Sequence, residues 1–349
     1  MAIISGSNTN AIAQIATTWG TAVAAGAGDK LIAEISHSIN ETELISRAIG
    51  SGNAMITAAT RGNEKPTVTV TGDAQFQGAF PVILSQFMGT AAVSAEVTAS
   101  QADYRHTITF NPTLNAKYVT IAYESSSTTV HEFPTCAARS FTLRTPSVPG
   151  YLEYSAELVA NKLELSTSTN TNAVCAAATI VQSEIAAVTF DDDFWIDTEA
   201  STTLASGGQL DILSYELNLQ RPQESANEIK GSAGNGSPIM TDLFQGTLSI
   251  TLKGLTDHAY YTYFANETSL KCRFTVEGTK IGTGINKAVD VYIPRMQLIS
   301  GPSYAVATAG VNPVTYTFRI SKAASNPTGM TSTYPYFTIA NQLSTGYLA

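Results

Sequence analysis

The chain is short of charge. Only 13% of its 349 residues are Asp, Glu, Lys or Arg, against roughly 25% in an average soluble protein. Ser, Thr, Asn and Gln fill the gap. Basic residues are the scarcer sign: 19 Lys and Arg stand against 28 Asp and Glu, a formal net charge of −9. A protein that grips nucleic acid by neutralising phosphates needs the opposite balance, so that class is excluded. The same deficit argues against aromatic platforms for single strands, despite 15 tyrosines. Long apolar runs are also missing, and no membrane-spanning helix is expected. No basic segment precedes an apolar one in residues 1–30, so no signal peptide is expected. An outer-membrane barrel, which would need one, is disfavoured with it, and Asn40-Glu-Thr42 and Asn266-Glu-Thr268 carry no meaning as glycosylation sites. Cysteines number three, Cys136, Cys175 and Cys272, far apart and in no CxxC pair. They read as reduced, buried thiols of a cytosolic product.

Catalytic signatures are absent too. No GxSxG, HExxH or GxxxxGK[ST] occurs. The four histidines, His37, His106, His131 and His258, stand apart from one another and from cysteine, so there is no local zinc pattern. The Gly-rich stretch Gly231–Pro238 lacks the Lys-Ser/Thr and the following helix of a phosphate cradle and reads as a loop. Asp191, Asp192 and Asp193, with Asp197 and Glu199, form a carboxylate cluster. Three adjacent side chains diverge, so it reads as a solvated acidic loop and not as a cation site. No catalytic residue, cofactor or metal is expected.

What remains is a period of two. Thr67–Thr71, Arg105–Phe110, Tyr118–Tyr123, Tyr154–Val159, Leu248–Leu252, Cys272–Val276, Val289–Ile293 and Val314–Ile320 alternate apolar and polar side chains, rich in β-branched and aromatic residues. That pattern makes half-buried strands. Helical spacing occurs in Ala79–Met88, with Pro81 in its first turn and Gly89 at its end, and again in Asp257–Ala265. The fold class is mainly β, with one short helix per half.

The order of elements repeats. The strand at Leu248 starts 181 positions after the strand at Thr67, each is followed by its helix after a short loop, and Tyr292-Ile-Pro294 follows Glu132-Phe-Pro134 by 160. The expected organisation is an N-terminal arm (1–30), a first β domain (31–170), a crossover (171–207) pinned by Phe194 and Trp195, a second β domain (208–325) and a C-terminal arm (326–349). Apolar anchors in the arms, Trp19, Tyr336 and Phe337 among them, are expected to dock on this chain or a neighbour.

Four features together resemble the major tail tube proteins of long, non-contractile-tailed phages. They are Ala13-Gln-Ile-Ala-Thr-Thr-Trp-Gly-Thr21, a first strand near residue 31, the strand–helix pair at 67–88, and Phe190-Asp-Asp-Asp-Phe-Trp-Ile-Asp197 before a second copy. The resemblance implies two tandem β-sandwich or barrel domains, each with one flanking helix, whose strands line a channel. Three such chains would give the six-fold ring that relatives build from six single domains. Rings would stack into a conduit for genomic double-stranded DNA, passed without specific binding. The partners implied are further copies of the chain and the tail terminator and tail-tip proteins of the same virion. The implied location is the virion tail, after synthesis in the bacterial cytoplasm. A charge of −9 per chain becomes −27 for three, and an acidic bore would repel phosphate. Glu34 and Glu216 are the channel-lining candidates, and the loops at 41–66 and 220–240 are expected at contacts between subunits or rings. Two other classes compete: another virion or surface structural protein (capsid decoration, fibre or adhesin), and a lectin-like or glycan-active sandwich using Asp191–Asp193 beside Trp195.

Overall fold

A computed structural model describes residues 9–26, 28–45, 59–113, 116–180, 184–190, 192–202, 204, 208–225, 234–254, 259–300 and 313–348. In chain order the first part runs β1 (Ala11–Ala16), β2 (Glu34–Ile45), β3 (Ala59–Asp73), helix α1 (Ala79–Met88), β4 (Ala92–Val93), β5 (Tyr104–Thr109), β6 (Tyr118–Glu124), β7 (Val130–Thr145), β8 (Gly150–Tyr151), β9 (Glu153–Ala160) and β10 (Glu164–Leu165). Helix α2 (Asn172–Ala177), β11 (Ala187–Val188) and β12 (Asp193–Thr198) follow. The last part holds β13 (Ile212–Gln220), β14 (Gln223–Ser225), β15 (Pro238–Met240), β16 (Gln245–Leu252), α3 (Ala259–Ala265), β17 (Leu270–Lys280), β18 (Asn286–Leu298), β19 (Val314–Ile320) and β20 (Tyr336–Asn341). All eight alternating segments lie in strands, with Phe110 one residue beyond the end of β5.

One antiparallel sheet organises the molecule, in the order β2-β3-β9-β7-β13-β16-β19-β18-β20-β5-β4. β7 joins its two sides: Ser140–Thr145 pairs with Gln220–Tyr215 of β13 on one edge, and Ser140–Arg144 pairs with β9 on the other. Nearer its start, β7 pairs with β6, which carries β1. β18 plays a similar double part, with β17 and β12 beyond it. The alternation decides the faces. Val68, Val70, Ala156, Phe141, Leu217, Ile250, Tyr316 and Phe318 are buried on one side; Ser, Thr, Asn and Glu occupy the other.

α1 lies on the apolar side. Its ring pairs there include Phe80–Phe141, Phe87–Phe141 and Phe80–Tyr154, at 6.1, 5.8 and 5.2 Å. Burying each such ring contributes about 2 kcal/mol. Pro81 fits the first turn because that position needs no donor. Gly89 stops the helix at φ 93°, its N–H donating to the Ser85 carbonyl at 2.8 Å. A β-carbon there would sit 3.1 Å from that of Asn111. α3, expected over 257–265, is described from Ala259, and His258 lies outside the described residues.

Three features exceed the sequence expectation. β1, inside the N-terminal arm, adds an outer strand to β6, and β20, inside the C-terminal arm, is inserted between β18 and β5. A third helix, α2, occupies the crossover, capped by the Thr171 hydroxyl, which accepts from the Val174 N–H. Its six residues are too few to display a helical period in the sequence.

Candidate assembly surfaces

The polar face of the long sheet is continuous across both halves. One transverse row reads Glu34, Thr71, Ser155, Thr142, Asn218, Thr247 and Arg319, each paired with the next. A neighbouring row reads Glu153, Arg144, Glu216, Ser249 and Thr317. Glu34 and Glu216 are therefore on the same face, in adjacent rows, and both are exposed. Hydroxyls bond across strands: Thr71 with Ser155 at 3.2 Å, Ser249 with Thr317 at 3.2 Å and Thr251 with Thr315 at 3.0 Å. Two of the face's carboxylates are neutralised locally, Glu157 by Arg139 and Glu153 by Arg144. Among the described residues, Glu34 and Glu216 make no ion pair. The face is a hydroxyl surface with sparse charge.

The edge of this sheet is open at β2, whose strand partner among the described residues is β3 alone. An open edge presents unpaired backbone groups and invites another strand. Large apolar side chains stand exposed at both ends of the strands. Phe190, 81% exposed, follows β11, and Leu243, 79% exposed, precedes β16 at the opposite end. The segments at 41–66 and 220–240, expected as loops, hold paired strand residues of β2, β3, β14 and β15, and they meet inside the chain: the Asn235 side-chain amide donates to the Glu64 carbonyl at 2.6 Å. Residues 46–58 and 226–233 lie outside the described residues.

The arm anchors all dock on their own chain. The Trp19 indole N–H donates to the Asn235 carbonyl at 2.8 Å, and its ring meets Tyr118 edge-on at 4.9 Å. Tyr336 is buried and stacks on Tyr292 at 4.5 Å; Phe337 is fully buried. Of the carboxylate cluster, Asp191 lies outside the described residues. Asp192 accepts from the backbone N–H groups of Thr189 and Glu277, while burial pushes its pKa up. Asp193 accepts from Gln209 at 3.4 Å. Among the described residues no group of three His, Cys, Asp or Glu could hold a metal ion. Phe194 stacks on Phe274 at 5.2 Å, so this segment is pinned as its aromatics suggested.

His106 is buried against the Asn341 side chain and the Leu343 carbonyl, and burial lowers its pKa. His37 and His131 both turn Nδ1 to the Tyr123 hydroxyl, at 2.7 and 3.2 Å. Burial, then the charge of His37, holds His131 below the ordinary histidine value. The three cysteines are buried and unpaired, and burial raises each thiol, Cys175 to about 11.

Sequence reasoning missed two buried cations. Arg221, just past β13, donates to the carbonyls of Phe87 and Asn111, both at 2.8 Å, and lies 5.3 Å over the Phe110 ring. Burial pushes it down to about 10. Lys271 on β17 donates to the Ser201 carbonyl at 2.6 Å and that of Thr328 at 3.1 Å. Neither carries a local motif, because both partners are backbone carbonyls distant in sequence.

Compared with curated proteins, the chain finds no significant match. A family model described as phage tail tube protein matches residues 6–321, which covers α1, α3, the joint between β7 and β13 and every strand of the long sheet except β20. The mainly antiparallel fold is in keeping with that match, and the chain belongs to the phage tail tube protein family.

Proposed function

We propose that this chain is a duplicated tube subunit, three copies of which close a ring of six β units around a bore. The observation that carries the reading is the joint between β7 and β13, which lays two four-strand sets of identical order, β2-β3-β9-β7 and β13-β16-β19-β18, side by side in one sheet. The pairing registers support it. Ile35 pairs with Val70 and Tyr215 with Ile250, each residue 180 positions on. Val70 pairs with Ala156 and Ile250 with Tyr316, the second strand now 160 on. Cys136 pairs with Ala160 and Met296 with Ile320, again 160 on. An offset of 180, one less than the strand starts suggest, keeps every buried residue on the buried face; a one-residue slip would invert it.

A head-to-tail joint repeated between chains either closes into a ring or runs on as a filament. The units at 31–170 and 208–325 would take equivalent places, and ring closure would cover the open edge of β2. The hydroxyl face would then line the bore, with Glu34 and Glu216 among its carboxylates, so that passing double-stranded DNA meets repulsion and few donors. Ring would stack on ring through the loops at 41–66 and 220–240 and the apolar side chains at both strand ends. Tail terminator and tail-tip proteins would cap the stack, in a tail of the non-contractile kind. The subunit's work is structural, with no catalytic step. Negative-stain microscopy and analytical ultracentrifugation of the purified chain test this: hollow rings or tubes with three-fold symmetry are expected, and a monomer that never assembles overturns it.

A further inference from the structure

The two helices that follow the long hairpins have opposite surroundings. α1 is enclosed, with nine of its ten residues buried. Part of that enclosure comes from across the joint between β7 and β13. Arg221 reaches the Phe87 carbonyl, and the Phe244 ring lies 6.3 Å from that of Phe87. α3 begins at Ala259, 180 positions after Ala79, and none of its residues is buried. Its inward side is fixed by Tyr260, stacked on Tyr316 at 4.5 Å. Its outward side presents Tyr261, 56% exposed, and Phe264, 39% exposed.

A matching difference exists at the other end of the sheet. β10 pairs Leu165 with His131 of β7, and β20 pairs Phe337 with Val291 of β18, again 160 positions on. Phe337 is fully buried, whereas Leu165 is 59% exposed. Each half thus lacks a cover that the other half possesses.

Resting on the ring reading above, we propose that α3 is the docking surface for a second copy of this chain, which seats the Leu165 side of its first half against Tyr261 and Phe264. The joint inside the chain completes the enclosure of α1, and the same joint between chains would complete that of α3. The occupant is a second copy because the internal joint already shows what covers this helix position. Aromatic side chains that lose water together at the centre of a contact carry most of its energy. The contact is heterologous: α3 of one chain meets Leu165 of the next.

Two variants test it, Y261D/F264D on one side and L165D on the other. None of these side chains is buried, so circular dichroism and the thermal midpoint of each should match the wild type. Sedimentation velocity over a concentration series should show each variant alone remaining at 36.8 kDa, or needing at least tenfold more protein to assemble. Mixed together, each supplies the side the other lacks. The mixture should form a capped two-chain species and no rings. Variants that assemble at the wild-type concentration, or a mixture that stays monomeric, overturn this docking assignment and leave the ring reading standing. A wild type that stays monomeric throughout overturns both.

Discussion

Replacing Arg221 by methionine should destabilise the chain by about 3 kcal/mol. Methionine keeps an unbranched stem of similar length, so the change removes the guanidinium without opening a large cavity. Arg221 makes two charged hydrogen bonds at 2.8 Å and covers the Phe110 ring. Those contribute about 1.5–3 kcal/mol per bond and ~1 kcal/mol for the ring. Against them stands burial of the cation. Its pKa falls from 12.5 to about 10, a penalty of about 3 kcal/mol at 1.36 kcal/mol per unit. The difference favours arginine, and its loss also leaves the Phe87 and Asn111 carbonyls without these donors. Unfolding entropy of about 2.1 cal/mol/K per residue converts 3 kcal/mol into a drop of ~4 °C for a chain of this size, if it melts as one unit. Differential scanning calorimetry at pH 7 measures it. Arg221→Lys, which keeps charge but loses the planar fork, should fall between. A buried cation can also be a net cost that an apolar residue relieves. A methionine variant melting within 1 °C of the wild type, or above it, would refute the reasoning.

Other outcomes follow from the same geometry. Trp19→Ala removes the Tyr118 contact and the bond to Asn235, at a cost of about 2–3 kcal/mol, and limited proteolysis should then cut near residue 20 faster than in the wild type. Denaturant should be needed before the three buried thiols react with a thiol reagent; rapid labelling of the native chain would contradict their raised pKa values. His106 and His131 have lowered pKa values in the fold, so the unfolded chain binds protons first as pH falls through ~6.5. Thermal stability should therefore decline from pH 7 to 5, and a His106→Gln/His131→Gln chain should show a flatter profile over that range. Glu34→Lys/Glu216→Lys should raise retention of double-stranded DNA by assembled protein in low salt, with the effect fading as salt screens it; unchanged retention would remove these two residues from the bore.

How legible the fold was depends on what each strand faces. β3, β9, β16 and β19 have one wet face and one dry face, so their alternation appears directly in the sequence. β20 is buried at all six positions and β1 at five of six. A strand dry on both sides shows no period, which is why the arms read as anchored tails and not as sheet members. α1 was legible to the residue because Pro81 and Gly89 mark its ends by their backbone preferences. The shared face of Glu34 and Glu216 was legible from alternation, given the right register. The Arg139–Glu157 and Arg144–Glu153 pairs were not, since they depend on which strands become neighbours; the net charge alone overstates the acidity of that face. Arg221 was invisible for the same reason, as its acceptors lie 134 and 110 residues away.

The cross-strand hydroxyl pairs on the polar face have a kinetic consequence. Thr71, Ser155, Ser249, Thr251, Thr315 and Thr317 use hydrogen-bonding capacity on one another. Were this face to line the proposed bore, a long solute moving past it would find few strong donors to stop at and no deep wells separated by barriers. Its progress would be set by the driving force and by drag in the water layer, with little waiting at individual contacts. Short side chains with one rotatable hydroxyl also cannot reach out and follow the solute, as lysine or arginine would. Smoothness of this kind comes from composition and register together, and it needs no moving part.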